Sequence, residues 1–90
     1  MTPARYRVVV AASAERSLAR LPEAVAAAIV EFMSGPLVES PRRVGLPLQR
    51  EFAGLWSARR GPYRVVYETD EDASVIVLWV DHRSDIYRRR

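Results

Sequence analysis

The run Ser74-Val75-Ile76-Val77-Leu78-Trp79-Val80 constrains the fold of this 90-residue chain more than any other stretch. It is rich in β-branched residues and apolar on both faces, so it reads as a strand buried on both sides, inside a sheet. An interior strand needs neighbours, and the sequence offers them. Tyr6 to Val10 is a β-branched run that reads as a first strand. Leu55 to Arg60 and Tyr63 to Thr69 flank Gly61-Pro62, a pair that fits a type II′ hairpin with Gly at its first central position. Asp70-Glu71-Asp72 marks the turn into the interior strand.

Between the first strand and the hairpin the periodicity changes. Ser13 stands where a helix N-cap would, with Glu15 in the first turn, and Ala14, Leu18 and Leu21 fall on one helical face. Pro22 breaks that helix and opens a second, in which Val25, Ile29, Phe32 and Met33 repeat the spacing until Ser34-Gly35-Pro36. The short joint predicts an antiparallel helical pair. Residues 35–54 are dense in Gly and Pro and read as a long irregular connection. The expected order is β-α-α-β-β-β: an α+β single domain over residues 1–90, with the helical pair on one face of a mainly antiparallel sheet.

Composition narrows the function classes. There is no cysteine and one histidine, which leaves no disulfide framework and none of the usual zinc or iron–sulfur ligand sets. No apolar stretch approaches the roughly 20 residues that span a bilayer, and the N-terminus lacks the pattern of a signal peptide. The expectation is a soluble cytoplasmic protein without a metal or cofactor. The formal net charge is +3, and all 14 basic residues are arginine, which grips phosphate as a fork and stays protonated. The charge is segregated along the chain. Residues 42–64 carry Arg42, Arg43, Arg50, Arg59, Arg60 and Arg64 against Glu51 alone, whereas residues 65–82 carry acids and no base. Four arginines return in residues 83–90, against Asp85. Such segregation suits an anion-binding face, although blocks of this kind also arise on unrelated surfaces.

Two clusters carry candidate chemistry. A two-residue turn at Gly61-Pro62 pairs Arg60 with Tyr63 and Arg59 with Arg64, and members of a direct pair share a face. Two guanidinium groups then stand opposite each other, which destabilises a sheet unless an anion lies between them. The alternative is an ion pair between Arg64 and Glu68, two residues along the same face. The second cluster, His82-Arg83-Ser84-Asp85-Ile86-Tyr87, follows the interior strand. His82 belongs to the residue type most used for proton transfer, and a lone histidine is as readily structural. Tyr87 is placed to stack on a base, donate a proton or cover the core edge. Aromatics beside arginines are common equipment for single-stranded RNA.

These motifs resemble a known family. Gly54-Leu55-Trp56-Ser57-Ala58-Arg59-Arg60-Gly61-Pro62-Tyr63-Arg64-Val65-Val66-Tyr67 looks like the central hairpin of the RelE/ParE toxin superfamily. His82-Arg83-Ser84-Asp85-Ile86-Tyr87 resembles its C-terminal signature, and Leu18-x-x-Leu21-Pro22 its helix joint. The likeness spans essentially the whole chain and is greatest to the RelE branch. It implies a RelE-like, microbial-RNase-type fold and a toxin of a type II toxin–antitoxin pair. That toxin would be an endoribonuclease that cuts messenger RNA in the ribosomal A site without a metal. It also implies an acidic antitoxin that wraps the toxin, and contact with DNA only through the toxin–antitoxin complex.

Carried over by residue, Arg64 matches the arginine at the scissile phosphate, and Arg59 a basic position on the preceding strand. Arg83 and Tyr87 match the arginine and tyrosine of the C-terminal motif, and His82 a histidine that some relatives use in proton transfer. The resemblance thus makes Arg64, Arg83, His82 and Tyr87 the catalytic candidates, with Arg59, Arg60, Arg43 and Arg50 as RNA-binding ones. Ser57 departs from a position that is often basic. The rival readings are a ParE-like DNA gyrase inhibitor without nuclease activity, and a degenerate toxin acting only as a co-repressor with its antitoxin.

Overall fold

The run at 74–80 lies inside a sheet, as its two apolar faces require. The structure, a computed structural model describing residues 6–70 and 73–84, has five strands. They are β1 (Arg7–Val10), β2 (Leu46–Pro47), β3 (Trp56–Arg60), β4 (Tyr63–Thr69) and β5 (Ser74–His82), in spatial order β1-β5-β4-β3-β2. β1 runs parallel to β5, and the other three pairings are antiparallel. Val75 and Val77 are fully buried and Val80 nearly so.

The helices α1 (Ala12–Ala19) and α2 (Glu23–Ser34) cover one face of this sheet. Ala14 of α1 and Ile29, Phe32 and Met33 of α2 form a single core with Ala58, Val65 and Val77 from the strands. The fold is α+β, as the periodicities predict. None of the helices among the described residues is long and apolar enough to cross a membrane.

Three local features differ from the expectation. Ser13 is not the cap of α1: Ala11 holds that place with extended backbone, and the Ser13 hydroxyl donates to the Leu78 carbonyl instead. Leu78 is the extra residue where the β4–β5 register slips between Val66 and Tyr67, and a bulge of this kind frees a carbonyl for such a bond. Pro22 stands at the N-cap of α2, one place before its first turn. The connection at 35–54 is not structureless. It holds a short helix α3 (Pro36–Glu39), strand β2 and a 3₁₀ turn (Arg50–Phe52).

Tyr67 ties that connection to the sheet. Its side chain is fully buried, and its hydroxyl donates to the Pro41 carbonyl at 2.6 Å. Burial pushes the Tyr67 phenol from its ordinary 10 up to about 12. The unfolded chain therefore releases this proton first, so the stability it carries is complete below pH 10 and is lost as the pH climbs toward 12. Denaturant midpoints are expected to fall over that window by an amount equivalent to about 2–3 kcal/mol at most. Tyr67→Phe is expected to flatten that part of the pH dependence.

Candidate RNA-binding face

The β3–β4 hairpin forms with the expected register. Gly61 has φ +60°, and Pro62 fixes its own φ near the usual negative value, a combination that fits a type II′ turn. Arg59 lies opposite Arg64 and Arg60 opposite Tyr63. β5 extends the row, for Arg64 also faces Asp81 and Tyr63 also faces His82. Alternation along the strands then sorts these residues onto two faces.

Arg59, Arg64 and Asp81 lie in one row on the face away from the helices. The next row on that face runs Ser57, Val66 and Trp79, with the Phe52 ring of the 3₁₀ turn 6.3 Å from that of Trp79. An apolar floor beneath the 3₁₀ turn thus adjoins two facing guanidinium groups. Among the described residues neither the Arg59 nor the Arg64 side chain is engaged by a hydrogen bond or an ion pair. The expected alternative acid, Glu68, lies opposite Ile76, and Asp81 is the carboxylate that stands across from Arg64. One Asp81 oxygen accepts the backbone N–H of His82 at 2.8 Å.

The other face holds Arg60, Tyr63 and His82. The Arg60 guanidinium lies 3.8 Å from the centroid of the Phe32 ring in α2, and its Nη1 donates to the Arg59 carbonyl at 2.8 Å. Arg60, expected among the RNA-binding groups, thus fastens the hairpin to the helices. Arg60→Ala is expected to cost about 1 kcal/mol of stability, read from a urea titration. His82 packs edge-on against Tyr63 with ring centroids 5.6 Å apart. The sheet therefore separates His82 from Arg64, although both were expected to serve one site.

Arg83 sits in the turn after β5, exposed, and its N–H bonds the Pro62 carbonyl at 2.7 Å. That bond holds Arg83 beside the hairpin turn. Arg43 and Arg50 are exposed on the connection, Arg50 with φ +58° at the start of the 3₁₀ turn. Ser57, where a basic residue is often found, is buried at 5% exposure. Tyr87 and the Arg88–Arg90 tail, with its expected helical turn, lie outside the described residues. Among the described residues no His, Cys, Asp and Glu cluster has the makings of a metal site. The face offers fixed positive charge next to apolar surface, which suits a phosphate-bearing strand.

Comparison with known proteins gives this arrangement a family. A family model described as ParE toxin of type II toxin-antitoxin system, parDE, matches residues 8–87. Toxin RelG of Mycobacterium tuberculosis is 52% identical over 85 residues, covering 93% of this chain and 98% of the relative. Toxin RelE of the same organism is 50% identical over 84 residues, covering 92% and 87% respectively. The toxin–antitoxin complex RelBE2 from that organism contains a chain that superposes with a TM-score of 0.84 at 49% identity, covering 88% of this chain and 99% of that one. The archaeal RelE–RelB complex from Pyrococcus horikoshii gives a TM-score of 0.63 at 26% identity, covering 93% and 98%. The chain belongs to the RelE/ParE superfamily of type II toxin–antitoxin toxins.

Proposed function

We propose that this toxin is a ribosome-dependent endoribonuclease, acting in the cytoplasm as one domain of residues 1–90. It would cut messenger RNA in the A site by attack of a 2′-hydroxyl on its own phosphate. The observation that carries the reading is the facing pair Arg59 and Arg64, without a partner among the described residues, on the helix-free face of the sheet. The 2′-oxygen bonds to phosphorus, the bond to the 5′-oxygen breaks, one proton leaves the 2′-oxygen and one reaches the 5′-oxygen. Extra negative charge gathers on the phosphorane between those events. Arg64, carried on β4, and Arg83, beside the hairpin turn, meet that charge with guanidinium donors. We assign Arg59, and the exposed Arg43 and Arg50 further along the connection, to holding the flanking phosphates. Tyr87 stacks on the message and takes part in proton transfer. The ribosome supplies the strand geometry.

The partner is an antitoxin of the type named in the relatives' complexes, acidic where it covers the arginine row, and DNA is reached only through it. The matching family model carries the ParE name, so gyrase inhibition is the second reading. Pulsed expression in cells followed by primer extension on an abundant message separates the two. Breaks inside codons support the nuclease. Intact message with DNA breaks and SOS induction supports gyrase inhibition, and neither effect, with antitoxin binding kept, leaves a co-repressor.

A further inference from the structure

We propose that His82 is a positioning residue, which holds the turn bearing Arg83 and carries no proton in the reaction. The inference rests on the nuclease reading and alters the part that the histidine plays in it. Three observations converge on it.

The first is direction. His82 shares its face with Tyr63 and Arg60, on the helix side of the sheet, whereas Arg64 lies on the other side. Tyr63 packs across the imidazole at 80°, which fixes the ring on that side. The second is the use of the ring nitrogen. Nδ1 accepts the Ser84 N–H at 3.2 Å and lies 2.9 Å from Ser84 Oγ. Nδ1 is thus engaged within the turn by both polar atoms of Ser84. A side chain that captures the N–H two residues ahead closes a turn in the manner of an Asx-turn. The third is what that turn carries. β1 pairs with β5 only as far as Val77, so beyond it β4 is the one strand paired with β5 among the described residues. After His82 the Arg83 N–H still reaches the Pro62 carbonyl at 2.7 Å, and the imidazole pins the next residue. Arg83 is thereby gripped from both sides, at Pro62 and at Ser84.

Asparagine separates positioning from proton transfer. Its Oδ1 occupies nearly the place of the histidine Nδ1 and accepts the same N–H, but it does not titrate. With purified toxin on programmed ribosomes, His82→Asn is expected to cleave within about threefold of the unsubstituted protein, with the same pH–rate profile. His82→Ala is expected to lose on the order of 10–100-fold, the scale set by a misplaced reacting group. Amide hydrogen exchange gives a readout that is independent of cleavage. Ser84 and Arg83 are expected to exchange faster in His82→Ala and at the normal rate in His82→Asn. An Asn variant as slow as the Ala variant, with one limb of the pH profile gone, overturns the proposal. So does unchanged Ser84 exchange in His82→Ala. If the unsubstituted toxin leaves ribosome-bound message intact, the nuclease reading falls, and the exchange experiment still decides what His82 holds.

Discussion

Arg64→Ala is expected to abolish toxicity on induction and to lower cleavage of ribosome-bound message about 10²–10³-fold, the usual cost of removing one preorganised donor. The fold is expected to survive. Arg64 stands between Arg59, a like charge, and Asp81, an opposite one, so its loss relieves one interaction and gives up the other. Thermal melting of the variant is therefore expected close to the normal temperature. Arg64→Lys keeps the charge but not the planar fork, and an intermediate rate is expected. A soluble Arg64→Ala toxin that still arrests growth would remove this residue from the site.

Gly45→Ala is expected to have the largest effect on folding. A Cβ at this position would overlap the Tyr67 hydroxyl and lie 2.9 Å from the Ser57 carbonyl oxygen. Neither neighbour yields easily. The Ser57 oxygen belongs to the backbone of β3, and the Tyr67 ring is fully buried, with its hydroxyl committed to Pro41. Moving the ring breaks that bond and leaves a buried carbonyl unpaired, which adds to the cost of overpacking. Together these come to about 3 kcal/mol or more, a large share of the stability of a domain this size. A double-mutant cycle checks the assignment. Tyr67→Phe removes the nearest clashing atom, so Gly45→Ala is expected to cost less in that background. Simple additivity would place the damage elsewhere.

The parts of the fold legible in the sequence are those fixed by short-range rules. Gly61-Pro62 admits one tight turn, and from it the Arg59–Arg64 and Arg60–Tyr63 pairs follow by counting. The β4–β5 register does not follow in this way. A bulge at Leu78 shifts the pairing by one residue within the strand. As a result Asp81 stands across from Arg64, and the acid named from β4 alone, Glu68, lies opposite Ile76. The same count puts His82 on the helix side, which no motif could reveal. Ser13 lost its expected capping role to a carbonyl freed by that bulge, 65 residues away in sequence. The connection at 35–54 concealed the most because its order is tertiary. The Tyr67–Pro41 bond and the close approach at Gly45 join segments whose local sequence signals only Gly and Pro.

A reconstituted reaction decides whether this toxin cuts message on the ribosome. Purified toxin is added to ribosomes programmed with a defined message, and primer extension maps the products beside the same RNA free in solution. Cuts are expected within the A-site codon, with little cutting of the free RNA and loss of the cuts in Arg64→Ala. Intact message on programmed ribosomes, from toxin that still binds its antitoxin and arrests growth, would contradict the nuclease reading.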